Sequence, residues 1–242
     1  MRTLITICIA SIAAAACGEP AADETVAAAH DAGTGIATPG PVPFAPDIIS
    51  DERWHWRISF TPDGDTAYFS VSDGWFPATR TATIMRSTRG TDGSWTEPDT
   101  ASFSGTWSDM DPFVARDGSR VYFSSLRPAG GVMREVFDIW YVDRTAAGWS
   151  EPVRLGREVN SDQDELYASA SADGTLYFAS GPTSPSAGGS WSIYSARPAG
   201  SGFEARQPVP DVNNTAAPDP ENPTSTWDFN PEISPDGRTL FF

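Results

Sequence analysis

The sequence predicts an all-β protein, a β-propeller built of four-stranded antiparallel blades, and three observations predict it. The first is composition. Among 242 residues there are 21 glycines, 21 prolines, 9 tryptophans, 6 tyrosines and 13 phenylalanines, which suits many short strands joined by tight turns and does not suit long helices. The second is a repeated turn, and the third is an ordered set of marks that follows each copy of it.

The turn recurs four times. Thr61-Pro62-Asp63-Gly64 leads to Ala67-Tyr68-Phe69-Ser70, and Ala115-Arg116-Asp117-Gly118 to Val121-Tyr122-Phe123-Ser124. Ser171-Ala172-Asp173-Gly174 leads to Leu176-Tyr177-Phe178-Ala179, and Ser234-Pro235-Asp236-Gly237 to Leu240-Phe241-Phe242. The aspartates are spaced by 54, 56 and 63 residues. Asp-Gly between β-rich runs marks a hairpin, because glycine accepts positive φ and aspartate can bond its own turn. Self-similarity at such a period is the sign of a repeat architecture.

Each repeat then carries the same marks in the same order. Ile84, Ile139 and Ile193 sit in short apolar runs, clearest in Asp138-Ile139-Trp140-Tyr141 and Trp191-Ser192-Ile193-Tyr194. An aromatic followed by proline comes next, in Trp95-Thr96-Glu97-Pro98 and Trp149-Ser150-Glu151-Pro152, and more loosely in Phe203 with Pro208. Val159-Asn160-Ser161 and Val212-Asn213-Asn214-Thr215 close their repeats alike. One unit thus holds about four short strands, which is a propeller blade with aromatics packed between neighbouring sheets. The repeated aspartates are expected as turn residues, and Trp95, Trp140, Trp149 and Trp191 as inter-blade packing.

This succession resembles the WD40-like propeller repeats of bacterial envelope proteins, related to the TolB propeller, over roughly residues 41–242. The resemblance implies a partner in the cell envelope, a protein or a cell-wall component.

The two ends complete the expected plan. Pro41-Val42 with Ile48-Ile49-Ser50 matches Pro152-Val153 with Val159-Asn160-Ser161, so the N-terminal segment reads as the last strand of a blade divided between the termini. Such sharing protects strand edges. The chain stops at Leu240-Phe241-Phe242, in the middle of an apolar strand, so about four blades are visible and the last is expected to be incomplete, as in a truncated sequence.

Ahead of the repeats, residues 1–16 read as a secretory signal: Met1-Arg2, an apolar core from Leu4 to Ile12, then small residues. The core is too short for an ordinary transmembrane helix. Ala14-Ala15-Ala16-Cys17 resembles a lipobox, with Ala14 where leucine is usual, and makes Cys17 the expected acylated residue. Gly18 after it favours outer-membrane sorting, and cleavage after Ala16 without acylation leaves the protein in the periplasm. Residues 17–40, rich in Ala, Pro, Gly and acid, read as a flexible tether. The expected location is therefore the periplasmic side of a bacterial envelope, with membrane contact through the lipid only.

Charge and residue inventory narrow the function. Asp and Glu number 32 against 16 basic residues, a formal charge of −16, which argues against nucleic acid as a partner. The cysteines, Cys8 and Cys17, both lie in the leader, so the folded part offers no thiolate ligand or nucleophile. The histidines are His30 and His55, so neither a Ser-His-Asp triad nor a His-rich metal centre is expected, and no cofactor is called for. A sialidase-type Asp-box is not matched, since Ser87 to Trp95 has Arg89 and Gly90 where Asp and Gly belong.

The candidate contacts lie eight residues before each turn aspartate: Asp109, Glu165 and Asp228, with His55 in the first repeat. Preceding the innermost strand, they could ring one mouth of the channel and take a cation or basic peptide, or each could bond backbone in the neighbouring blade. The reading preferred here is a binding or scaffold module, not an enzyme. The alternative is a carbohydrate-active hydrolase using channel-mouth carboxylates. Recognition is expected in the stretches that do not repeat: Trp75 to Arg80, Arg127 to Glu135 and Ala216 to Thr226.

Overall fold

A computed structural model describes residues 40–75, 78–183, 189–214, 216, 219, 222, 224 and 226–242. The expected signal, Cys17 and nearly all of the tether lie outside these residues, as does part of the Ala216–Thr226 stretch. The described residues form β-strands and no helix.

Three successive sheets, of four, five and four strands, correspond to the repeats. The first is β1 (Trp54–Phe60), β2 (Thr66–Ser72), β3 (Thr83–Thr88) and β4 (Asp99–Thr100), in that order. The second is β5 (Asp109–Val114), β6 (Arg120–Ser125) and β7 (Asp138–Thr145), extended by β8 (Gly148–Trp149) and, as outer strand, β9 (Val153–Arg154). The third is β10 (Asp164–Ala170), β11 (Leu176–Gly181), β12 (Ser192–Ala196) and β15 (Gln207–Pro208), with β13 (Pro198–Ala199) and β14 (Gly202–Phe203) as a side hairpin. A fourth sheet holds β16 (Glu232–Ile233) and β17 (Leu240–Phe241). All pairings in these ladders are antiparallel, which is the propeller-like blade arrangement.

The turns follow from chemistry local to each repeat. Gly64, Gly118, Gly174 and Gly237 all have φ between 67° and 81°, and each donates its N–H to the carbonyl three residues back, at 2.8–2.9 Å. The turn aspartates accept from the residue two positions on, as Asp63 does from the Asp65 N–H at 3.0 Å and Asp173 from the Thr175 N–H at 3.0 Å. They are turn residues.

Blades stack through alternate strand residues. Phe103, Tyr68 and Ile84 of the first blade meet Val121, Phe123 and Trp140 of the second. Tyr122, Ile139 and Val159 of the second meet Leu176, Phe178 and Ala170 of the third. Ile193 and Tyr177 meet Ile233 and Leu240 of the fourth. Phe123 and Phe178 are wholly buried, and each such side chain is worth about 1.5–3 kcal/mol of hydrophobic stabilisation. Trp149 adds a polar tie across blades, donating Nε1–H to the Tyr68 hydroxyl at 3.0 Å.

The N-terminal segment behaves as a linker. Residues 41–50 form no ladder with β17, and Ile49 packs on Ala67, Phe69 and Val71 of the first blade. Val159 holds the corresponding place on the third. A closing outer strand pairs with the third strand of its blade, and β17 is a second strand. Hence the fourth sheet stays two-stranded among the described residues.

Candidate functional site

Antiparallel blades give the molecule two unlike faces. The Asp-Gly turns joining first to second strands lie on one, here the turn face. The opposite loop face carries the start of each first strand, the described residues between second and third strands (73–75 and 78–82, 126–137, 182–183 and 189–191), and the linkers between blades.

The four sequence-selected residues stand at the loop face, one per repeat, each bonded to the linker before it. Asp109 is buried, accepting from Ser104 Oγ at 2.8 Å, Ser125 Oγ at 2.6 Å and Arg127 Nη2 at 2.7 Å. Glu165 is buried in the same way, accepting from Ser161 N at 3.0 Å, Ser161 Oγ at 2.5 Å, Ser180 Oγ at 2.9 Å and Arg206 Nη1 at 2.9 Å. Burial pushes both carboxyls up, against the pull of Arg127 on Asp109 and of the Ser161 hydrogen bonds on Glu165. Half-buried Asp228 accepts from the Asn214 N–H and is likewise raised by burial. In the first repeat the chemistry is reversed: the strand supplies His55 and the linker the acid, with His55 Nε2 2.8 Å from Asp51 Oδ1.

The linkers carry a second repeated clamp. Asn160 Oδ1 accepts from Ile139 N at 2.7 Å, Asn213 Oδ1 from Ile193 N at 2.6 Å, and Ser104 Oγ from Ile84 N at 3.1 Å. Each pins a linker to the third strand of the blade it leaves.

Arg80 ties three blades together across the loop face. Its guanidinium makes a bidentate pair with Asp164, 2.7 and 2.9 Å, and also donates to the Glu135 carbonyl at 3.1 Å. It lies 4.8 Å from the Phe137 ring centroid. Asp164 is buried and accepts from Phe137 N at 2.7 Å as well. Nearby Asp138, also buried, is held by both Arg134 and Arg154. These arginines belong to a chain whose 16 basic residues are all arginine.

Two positions after each selected residue stand Arg57 on β1, Asp111 and Tyr167, both buried on innermost strands, and Asn230, exposed ahead of β16. Asp111, Tyr167 and Asn230 have φ of 55°, 57° and 65°. In β5 and β10 the register shifts at this position, so the residue is a β-bulge and its side chain is re-aimed. Asp111 is fully buried, and neither carboxylate oxygen completes a hydrogen bond; nor does Nη1 of Arg57, which pairs with Glu232 through Nη2. Burial drives the Asp111 carboxyl up to about 7, with Arg57 and the nearby Tyr167 N–H pulling the other way. The Tyr167 hydroxyl is raised by burial and by Asp111.

Surface character also differs between the faces. The loop face exposes Trp54, Trp75, Trp107, Val132, Met133 and Phe229. The turn face has an open groove of about 510 Å³ lined by Ile58, Phe60, Phe113, Arg116 and Glu232, among others. Among the described residues no group of three or more His, Cys, Asp or Glu gathers as metal ligands do.

Repeat spacing marks Asp109, Glu165 and Asp228; Arg80 falls only within the non-repeating stretch Trp75 to Arg80, and Asp164 and the bulge residues carry no mark in the repeats. Identity between repeats is the guide to such marks, and the bulge position holds four different side chains. The signal available was positional: two residues beyond Asp109, Glu165, Asp228 and His55.

No family model and no curated protein matches the chain. Among solved structures it is similar to a puromycin-hydrolyzing peptidase of Mycobacterium tuberculosis, at 15% identity over 62% of this chain and 22% of that one, with a TM-score of 0.44. It is also similar to prolyl oligopeptidase B from Galerina marginata, at 13% identity over 65% of this chain and 22% of that one, with a TM-score of 0.39. The chain spans about a fifth of the length of each.

Proposed function

We propose that this chain is a binding or scaffold module of the bacterial cell envelope, engaging an envelope protein or cell-wall component through its loop face. The reading follows the WD40-like, TolB-related resemblance of the repeats. The expected signal and Cys17 supply its location, as a lipid-anchored protein on the periplasmic side. One observation carries the choice of face: exposed Trp54, Trp75, Trp107, Val132, Met133 and Phe229 lie on the non-repeating loop side, against Ile58 and Phe60 in the turn-face groove, and the Asp-Gly turns themselves are four copies of one device. Exposed apolar side chains grouped on one face mark interaction surfaces. Residues in a repeated turn are accounted for by folding.

A photo-crosslinking amino acid at Met133 or Phe229, compared with one at Asp117 on the turn face, tests this in intact cells. Discrete adducts from the first two and none from Asp117 are expected. Adducts from Asp117 alone would overturn the reading. For the anchor, Cys17→Ala is expected to abolish incorporation of labelled fatty acid and to release the protein from the membrane fraction.

A further inference from the structure

Trp54 and Trp56 alternate on β1 and so share one of its faces, and Trp75 crosses over them from the loop that follows β2. The Trp54 and Trp75 ring centroids are 5.2 Å apart, those of Trp56 and Trp75 5.3 Å, and those of Trp54 and Trp56 6.3 Å. The group is held in place from beneath. Trp56 donates Nε1–H to Ser72 Oγ at 2.8 Å, Ser72 donates to the Gly74 carbonyl at 2.8 Å, and the Trp75 carbonyl accepts from Thr79 N at 2.9 Å. Even so, Trp54 remains 46% and Trp75 55% exposed. Rigid, exposed indoles with fixed backbone are what a binding hot spot needs, since little freedom is lost when a partner arrives.

The rest of the molecule indicates what covers such rings. Arg120 lies 3.8 Å from the Tyr141 centroid, Arg206 4.6 Å from Tyr194, Arg144 5.1 Å from Trp149 and Arg127 5.4 Å from Trp140. Repeatedly, the chain lays one of its own guanidinium groups on an aromatic face. Among the described residues none lies on Trp54, Trp56 or Trp75. Acidic residues flank the group in the chain: Glu52 and Asp73, both exposed, each precede one of its tryptophans by two positions. The adjacent Arg53 is engaged by Asp51 at 2.6 Å, with Asp73 adding a weaker attraction to it. A net charge of −16 attracts a basic partner to the whole surface, and anionic lipid is repelled by the same charge.

We propose that Trp54, Trp56 and Trp75 form a docking platform for an arginine or lysine side chain on an extended cationic polypeptide segment. It rests on the loop-face reading and names the partner's chemistry there. The cation sits over the indole faces, and Glu52 and Asp73 supply the counter-charge.

The test is tryptophan-fluorescence titration of the full chain with an acetylated Arg-Gly repeat peptide. A neutral chitin oligosaccharide and vesicles of anionic phospholipid serve as the other arms. Saturable quenching by the peptide alone is expected, weakened about tenfold by Trp75→Ala and less by Trp75→Phe, which keeps a ring. Three results would overturn the proposal: peptide binding unchanged in both Trp54→Ala and Trp75→Ala, peptide binding abolished only by about 0.5 M salt with both variants silent, or saturable binding of the oligosaccharide or vesicles instead. If crosslinks at Met133 and Phe229 persist while the peptide fails to bind, the cation platform falls and the loop-face reading stands. If both fail, both fall.

Discussion

The loop and turn faces are built by opposite rules. On the turn face each blade closes with the same four-residue device, satisfied within itself: a glycine at positive φ and an aspartate accepting from its own turn. On the loop face local contacts, such as Ser161 to Glu165, are joined by long-range ones. Arg80 reaches Asp164 across 84 residues, and Arg206 reaches Glu165 across 41. One face is a row of turns each closed on itself, with few ties between them such as Ala172 N–H to the Pro235 carbonyl; the other is a network. A network can be lost as a unit, and it can hold unlike side chains in fixed relation, as recognition requires.

Substitutions that set the faces against each other should rank accordingly. Arg80→Ala leaves the buried Asp164 carboxylate facing a lost partner, and breaking such a pair costs about 3–5 kcal/mol. A matching drop in the urea midpoint is expected, and a drop no larger than that of a turn-face variant would dissolve the distinction. Asp111→Asn comes next. The folded-state pKa of Asp111 lies near 7, above the ordinary 3.8, so the folded protein holds a proton that the unfolded chain releases. This contribution is full below about pH 4 and is lost as pH rises through 7, a span of about 4 kcal/mol. The asparagine variant should be the more stable at pH 8 and should flatten the fall between pH 4 and 8 in denaturation series. An unchanged slope would remove Asp111 as its source.

On the turn face, Gly118→Ala places a side chain at φ +71°, with its Cβ 3.2 Å from Pro62 Cδ. A loss of about 1–2 kcal/mol is expected, with a near-additive second loss from Gly237→Ala, read from the same urea curves. Strong coupling between them would mean the turn face is a network too. The smallest effect belongs to Met133→Ser, exposed at 63% on the loop face. Its stability should stay within about 0.5 kcal/mol, while crosslinking yield at a neighbouring position falls.

What could be read in advance follows the same division. Asp63, Asp117, Asp173 and Asp236 were legible because a tight turn needs the same residues wherever it occurs. Asp109, Glu165 and Asp228 were legible as a set for the same reason. Their arginines were not, since Arg127 lies 18 residues after Asp109 and Arg206 lies 41 after Glu165, so no common spacing exists to notice. His55 kept its place while the charge moved to Asp51, which letter-matching registers as an exception and geometry as a mirror. The bulge residues were hidden because Arg57, Asp111, Tyr167 and Asn230 share a backbone position and no side-chain chemistry. The N-terminal segment matched a last strand by its letters, but residues 41–50 join no ladder with β17 and Ile49 packs as part of a linker on the first blade.

The Arg80–Asp164 bond also has a consequence for the order in which the molecule forms. Hairpins closed by Asp-Gly turns join residues a few positions apart and are within reach as soon as each repeat exists. Arg80 must wait for β10, the first strand of the third blade, and closing so long a segment is slow and entropically unfavourable. Blade by blade the sheets can assemble early, and the long loop of the first blade gains its hold on Glu135 with the second blade, but its bidentate pair with Asp164 waits for the third. The tie between the first and third blades is therefore the last part of the loop face to form, and an immature chain would present its turns before that tie was closed.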